Sequence, residues 1–285
     1  MDIVLQLVLI GLLALGVAIL GNIGGFGGGV ILVPSLILIF SIDTKTAVGT
    51  VLAALCLPAL VGTIGAARRK EVDFKFGILF AIPSSAGTIS GVFVVHFLTD
   101  QTVLIIMGVL AFILSLLMLY HSIKNRKNDT EENEKTVSTE QESFWKKITK
   151  MKPILKIQKG EKSYDISVSL IFLSGVFFGL LSGLLGISGG WIQTPFMILA
   201  FGLPPLLASG TSLFIIVIKA LVGGITHMSL GNIDWRLLAM LTVTMFFGAM
   251  IGNFLKGKMK GKQISWILGI TLLTITIFIF VSILV

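Results

Sequence analysis

The chain has 285 residues, 55% of them hydrophobic and 13% charged, with 32 glycines and a net charge of +8. Soluble domains carry about 25% charge, and residues 121–165 alone hold 11 of the 22 basic and 8 of the 14 acidic residues. Too few charges remain to cover a water-soluble surface, so a soluble enzyme is excluded and a polytopic membrane protein is predicted.

The positive balance does not call for nucleic acid, because Lys and Arg collect in the cytoplasmic loops of membrane proteins. The N-terminus (Met1, Asp2, then apolar residues) lacks the basic region of a cleaved signal peptide and reads as part of the mature chain. Apolar stretches predict helices over 3–21, 28–41, 46–67, 75–98 and 102–121. They recur over 166–184, 189–202, 205–228, 236–255 and 263–285. A span needs about 20 residues. Residues 28–41 would reach only about 21 Å as a helix, so this stretch and its counterpart 189–202 read as short arms of re-entrant hairpins.

Between the first and second stretches lies Gly24-Gly25-Phe26-Gly27-Gly28-Gly29. Glycine costs about 1 kcal/mol in a helix interior relative to alanine, so five glycines in six residues predict a break. Unpaired backbone N–H groups are tolerated inside a membrane only where they line a cavity or are buried in protein. A break at a helix N-terminus aims N–H donors and a positive dipole end at one point, which suits a small anion. Tight helix packing through small residues is the competing explanation. Walker A and Rossmann readings fail, since no Gly-Lys-Ser/Thr follows and no soluble fold surrounds the cluster.

The third stretch holds Thr50 near its start, the lone Cys56, read as an inert buried thiol, and Pro58, expected to kink it. Asp73 before Phe74 and Asp234 before Trp235 read as helix N-caps. The linker follows. Residues 129–142 are polar and acidic. Over 143–162, Phe144, Trp145, Ile148, Met151 and Leu155 are interspersed with lysines, and a surface-lying amphipathic helix or a solvated connector are both open readings.

The second half copies the first. A shift of 161 aligns 23 of 87 residues between 24 and 110, eight of them glycine. Gly28 and Gly29 fall on Gly189 and Gly190, Pro34 on Pro195, Thr50 on Thr211 and Asp73 on Asp234. The domains are therefore 1–121, 122–165 and 166–285. The fold class expected is all-α polytopic, with two inverted repeats of about five apolar segments. Each repeat has three full spans plus a broken or re-entrant pair. Inversion follows from charge: it puts Arg68-Arg69-Lys70, the linker and Lys256–Lys262 together on the cytoplasmic side, with both termini outside.

The candidate anion site comprises Gly27, Gly28 and Gly29 from one copy and Ser188, Gly189, Gly190 and Gln193 from the other. Thr50, Thr211 and Ser212 could add hydroxyls, or bond to their own helix. Lys219, mid-way along 205–228, shares a helix face with Ser212 and Thr226 and could supply a cation, or serve a structural role. His227 could titrate near neutral pH or serve only as an interfacial cap or hydrogen-bonding group, and His96 and His121 sit at segment ends. No catalytic or metal-ligand constellation and no cofactor is expected.

The stretches GGFGGGVILVP, GLLGISGGWIQTP and GTSLFIIVIKALVGGITHMSLGNIDW resemble the TauE/SafE sulfite-exporter permeases over nearly the whole chain outside the linker. The matching residues include both Gly-Gly…Pro motifs and the His227…Gly231-Asn232-x-Asp234-Trp235 ending. The first half departs from that ending, with Ala66 and Lys70-Glu71 there. The resemblance implies a cell-membrane permease for a small sulfur oxyanion such as sulfite or an organosulfonate. A proton or sodium ion is the candidate for coupling, and a homo-oligomer is compatible with it. An anion channel or an uptake permease for another organic anion is the alternative.

Overall fold

A computed structural model describes residues 3–128, 154–159 and 162–284. The N-terminal half forms α1 (Ile3–Gly24), α2 (Gly29–Leu38), α3 (Thr44–Ala54), α4 (Cys56–Arg68), α5 (Phe74–Val94, continued by the 3-10 turn Val95–Phe97) and α6 (Asp100–Asn128). The C-terminal half forms α7 (Val168–Leu185), α8 (Gly190–Ala200), α9 (Pro205–Ser229), α10 (Trp235–Lys256) and α11 (Gly261–Leu284). Seven helical stretches among the described residues are long and apolar enough to cross a membrane, with α3 and α4 counting as one. The outward surface is apolar, as a bilayer requires: Ile82 is 66% and Leu173 70% exposed.

The membrane part is all-α. Two short strands, β1 (Ile154–Lys159) and β2 (Lys162–Ser167), pair antiparallel in the linker, with Lys159 opposite Lys162. The amphipathic helix considered over 143–162 is therefore replaced by strand from Ile154 onward, and its earlier part lies outside the described residues. Ile154, Ile157, Tyr164 and Ile166 are β-formers, and pairing satisfies backbone groups that a helix across Pro153 would leave open.

Helix ends follow local chemistry. Asp73 Oδ1 accepts from Phe76 N at 3.0 Å, and Asp234 Oδ1 accepts from Arg236 N and Leu237 N at 2.9 and 3.0 Å, as N-caps do. Pro58 has no N–H for the carbonyl of Ala54, and the third span is interrupted there, at Leu55 between α3 and α4.

Contacts between the halves come in exchanged pairs. Gly87 and Gly91 of α5 lie against the carbonyls of Val176 and Leu180 of α7, while Gly248 and Gly252 of α10 lie against those of Leu15 and Ile19 of α1. Each contact maps onto its partner by the shift of 161. The same holds for two hydrogen bonds: Asp73 N donates to Thr211 Oγ1 at 2.9 Å, and Asp234 N to Thr50 Oγ1 at 3.0 Å. The rising residue numbers show that α5 runs parallel to α7 and α1 parallel to α10.

α2 folds back along α1: Gly28 sits against Val17, and Gln6 Nε2 donates to the Phe40 carbonyl at 3.4 Å. The third span then starts beside the start of α1 and ends beside its end, where Asn22 Nδ2 donates to the Pro58 carbonyl at 3.0 Å. Residues 69–73 turn the chain into α5, which therefore runs opposite to α1.

Candidate functional site

The two glycine-rich breaks are real and they meet. α1 ends at Gly24, and Gly25, Gly27 and Gly28 take φ values of 77°, 77° and 96°, open to glycine without strain. In the other half Gly186 and Gly189 have φ 69° and 67°, and Ser188 takes φ 55°, a conformation that stores strain in a residue with a Cβ. The breaks cross face to face. A Cβ on Gly27 would lie 3.2 Å from Ser188 Oγ, one on Gly29 would lie 3.0 Å from Ile187 Cα, and one on Gly190 would lie 3.0 Å from Phe26 Cα.

α2 and α8 thus start from one central point and leave it in opposite directions. Their first intrahelical bonds run from Ile31 and Leu32 to the Gly28 carbonyl, and from Ile192 and Gln193 to that of Gly189. The N–H groups of Gly29, Val30, Gly190 and Trp191 precede those bonds and stand at the positive ends of two helix dipoles.

Side chains converge on the same point, all from the C-terminal half. Lys219 is fully buried and donates from Nζ to Gln193 Oε1 at 2.9 Å. Its ammonium lies 3.0 Å from where a Cβ on Gly189 would stand, so glycine makes room for it. Among the described residues no carboxylate pairs with Lys219; the ion pair there joins Arg69 and Glu71 at 2.9 Å. Gln193 Nε2 and Ser182 Oγ are buried without partners, and Ser182 Cβ is 3.5 Å from the Gly189 Cβ position. Thr194 Oγ1 ties the breaks together by donating to the Gly25 carbonyl at 3.1 Å. A buried lysine with no counter-charge, two unsatisfied polar groups and open backbone donors together make an arrangement that an oxyanion would complete.

Gly27, Gly28, Gly29, Ser188, Gly189, Gly190, Gln193 and Lys219 are therefore brought together, and all are buried. Ser188 spends its hydroxyl on the Ile187 carbonyl. Thr50 and Thr211 are elsewhere, each accepting from the backbone at the head of the other half's helix. Ser212 is two turns before Lys219 on α9, its hydroxyl buried and unpartnered. Thr226 bonds back to the Val222 carbonyl at 2.8 Å. Ser182 went unnoticed in the sequence because its equivalent is Gly21 and its neighbours are apolar. The residues of the centre are buried; a cavity of about 520 Å³ lies between α1, α2 and α11, lined by apolar residues such as Leu13, Leu20 and Ile267.

The threonine geometry carries a prediction. Thr50→Val and Thr211→Val each remove an acceptor from a helix head and should lower stability by about 1 kcal/mol, with anion binding unchanged. Thermal melting and ligand titration of both variants check it, and lost affinity at unchanged stability would return these hydroxyls to the site.

Isolated glycines follow packing. Gly87, Gly91, Gly248 and Gly252 all face helix backbone. At the end of the bundle opposite Arg69 and Lys256, His227 is buried and His96 half-buried, with Asn232 between them. No group of three or more His, Cys, Asp or Glu able to hold a metal occurs among the described residues.

The family model described as sulfite exporter TauE/SafE matches residues 9–279. The chain is 29% identical over 276 residues to the probable membrane transporter protein YunE of Bacillus subtilis, covering 94% of each. It is 27% identical over 248 residues to the probable membrane transporter protein YdhB of the same organism, covering 87% of this chain and 88% of that one. A shorter match, 32% over 74 residues, covers 26% of this chain and 17% of sulfite exporter TauE/SafE family protein 6 of Arabidopsis thaliana. No solved structure matches.

Proposed function

This chain belongs to the sulfite exporter TauE/SafE family of membrane transporters, and from that premise we propose that it is a secondary exporter of a small sulfur-containing oxyanion, sulfite or an organosulfonate. The observation that carries the reading is the Lys219 ammonium held against Gly189 where α2 and α8 begin. Two helix N-termini of about half a charge each, with the lysine, present about two positive charges to one small volume. Gln193 Nε2, Ser182 Oγ and the N–H groups of Gly29 and Gly190 supply the donors that oxyanion oxygens require.

The exchanged contacts, together with the opposite directions of α1 and α5, support inverted repeats and alternating access by rocking of one half against the other. A centre buried on every side favours this over an open anion channel. Basic residues Arg68, Arg69, Lys70 and Lys256 fall at one end, together with the head of α7 that follows the basic linker, which supports a cytoplasmic assignment for that end and an outer one for both termini. An inside-negative potential of about 100 mV favours exit of each negative charge by about 2.3 kcal/mol, so export needs little further drive.

Thermal melting of the purified protein with sulfite, sulfate, thiosulfate, sulfoacetate or taurine tests this. A ligand at about a hundred times its Kd adds about 2.7 kcal/mol of stability. Sulfite or sulfoacetate should raise the Tm most. Taurine should do least, because its ammonium group opposes Lys219. A panel with no stabilising member would refute the reading.

A further inference from the structure

We propose that His96, Asn232 and His227 form a proton-binding latch, which ties the α9–α10 turn to the end of α5 and opens when either imidazole takes up a proton. The donor pattern follows from a carbonyl that cannot donate and from an amide whose nitrogen faces both rings. His96 Nδ1 lies 3.0 Å from the Val92 carbonyl, which can only accept, so Nδ1 carries the proton and Nε2 is an acceptor. Asn232 Nδ2 is 3.2 Å from His96 Nε2 and 3.2 Å from His227 Nδ1. One amide NH2 therefore spends both hydrogens on two imidazole lone pairs, and both rings are neutral. A proton on either lone pair would set two donors against each other.

The latch spans three elements. His227 ends α9 and is fully buried, Asn232 sits in the turn before α10, and His96 belongs to the 3-10 turn after α5. Gly49 of α3 closes the fourth side, with the His227 ring and the Asn232 carbonyl against it. Other titratable groups at this end are Asp43 and Lys45 at the head of α3, Asp100 after the 3-10 turn, and Asp234 and Arg236 at the head of α10. The carboxylates of Asp43 and Asp234 cap their own helices, and α7 carries no charge. Among the described residues no ion pair or hydrogen bond joins a charged side chain to either imidazole.

The sign follows from linkage. The closed latch uses a lone pair on each ring, so closure weakens as pH falls, by about tenfold per pH unit for each proton taken up. The equivalent positions at the opposite end are Ala66, Glu71 and Gly257, so that end has no such device. Only the assignment of this end to the outer face rests on the function proposed above; proton binding does not.

Spin labels at Phe97→Cys and Leu230→Cys, two exposed positions, in a Cys56→Ser background test the latch in the full chain in nanodiscs. The population with a lengthened 97–230 distance should rise at least tenfold between pH 6 and pH 5. The rise should be shallower with His96→Gln and absent with His96→Gln and His227→Gln together. A parent distance unchanged between pH 8 and pH 5, or a dependence surviving in the double variant, would overturn the proposal. Should the double variant not fold, an unaltered steepness in His96→Gln, at a half-buried position, overturns it equally. Absence of sulfite binding leaves all these outcomes untouched.

Discussion

Lys219→Met is expected to reduce anion flux by about two to four orders of magnitude while leaving the protein folded and raising its thermal stability. The flux figure follows from losing two charge-assisted contacts to the anion, at about 1.5–3 kcal/mol each. The gain in stability follows from burial. An ammonium with no counter-charge is expensive to hold inside protein, and a methionine of similar length fills its space without that penalty. Part of the gain is offset, since Gln193 Oε1 loses its donor. A structural lysine predicts the reverse, with stability falling and flux following it. Lys219→Arg should not restore the wild type, because Gly189 leaves no room for a guanidinium. Flux of labelled sulfite into inverted vesicles, with melting curves on the same samples, decides the matter; wild-type flux in the methionine variant would end the argument for an anion centre.

The second large effect is on the fold. Gly91→Leu should destabilise by about 4 kcal/mol or more and leave little monodisperse protein after solubilisation. Gly87 and Gly91 of α5 meet carbonyls of α7, and Gly179 and Gly183 of α7 meet the Ser84 and Thr88 carbonyls of α5. Main chain lies against main chain over two turns, so an added side chain cannot rotate clear and the helices must separate. Gly252→Leu should be milder, because the α1 residues matching Gly179 and Gly183 are Ala18 and Asn22, so in this part of the seam only α10 brings glycine. Gly16→Leu should be nearly neutral, as nothing lies within 4 Å of a Cβ there. Equal losses at positions 91 and 16 would show that helix propensity, not close approach, governs these glycines.

Much of this architecture is written locally. The aligned glycines and prolines announce the duplication. Asp73 and Asp234 announce helix heads, and the clusters at 24–29 and 186–190 announce the breaks, because each effect depends on residues close in sequence. The site was only partly legible for the opposite reason. Thr50 and Thr211 read equally as ligands for an anion or as bonded to their own helix, and only tertiary packing places each as acceptor for a backbone N–H 184 or 138 residues away. His96 and His227 looked like separate segment ends, and only helix packing puts one amide between them. In the linker, the three-to-four spacing of apolar residues gave no sign of the strands Ile154–Lys159 and Lys162–Ser167, which form by pairing with each other.

At the positions matching Ser182, Ser188, Gln193 and Lys219, the first half has Gly21, Gly27, Leu32 and Pro58. One copy contributes bare peptide, indifferent to what it touches; the other contributes chemistry. Under the function proposed above, exchange of a few C-terminal side chains would change cargo preference while the N-terminal break kept its backbone intact.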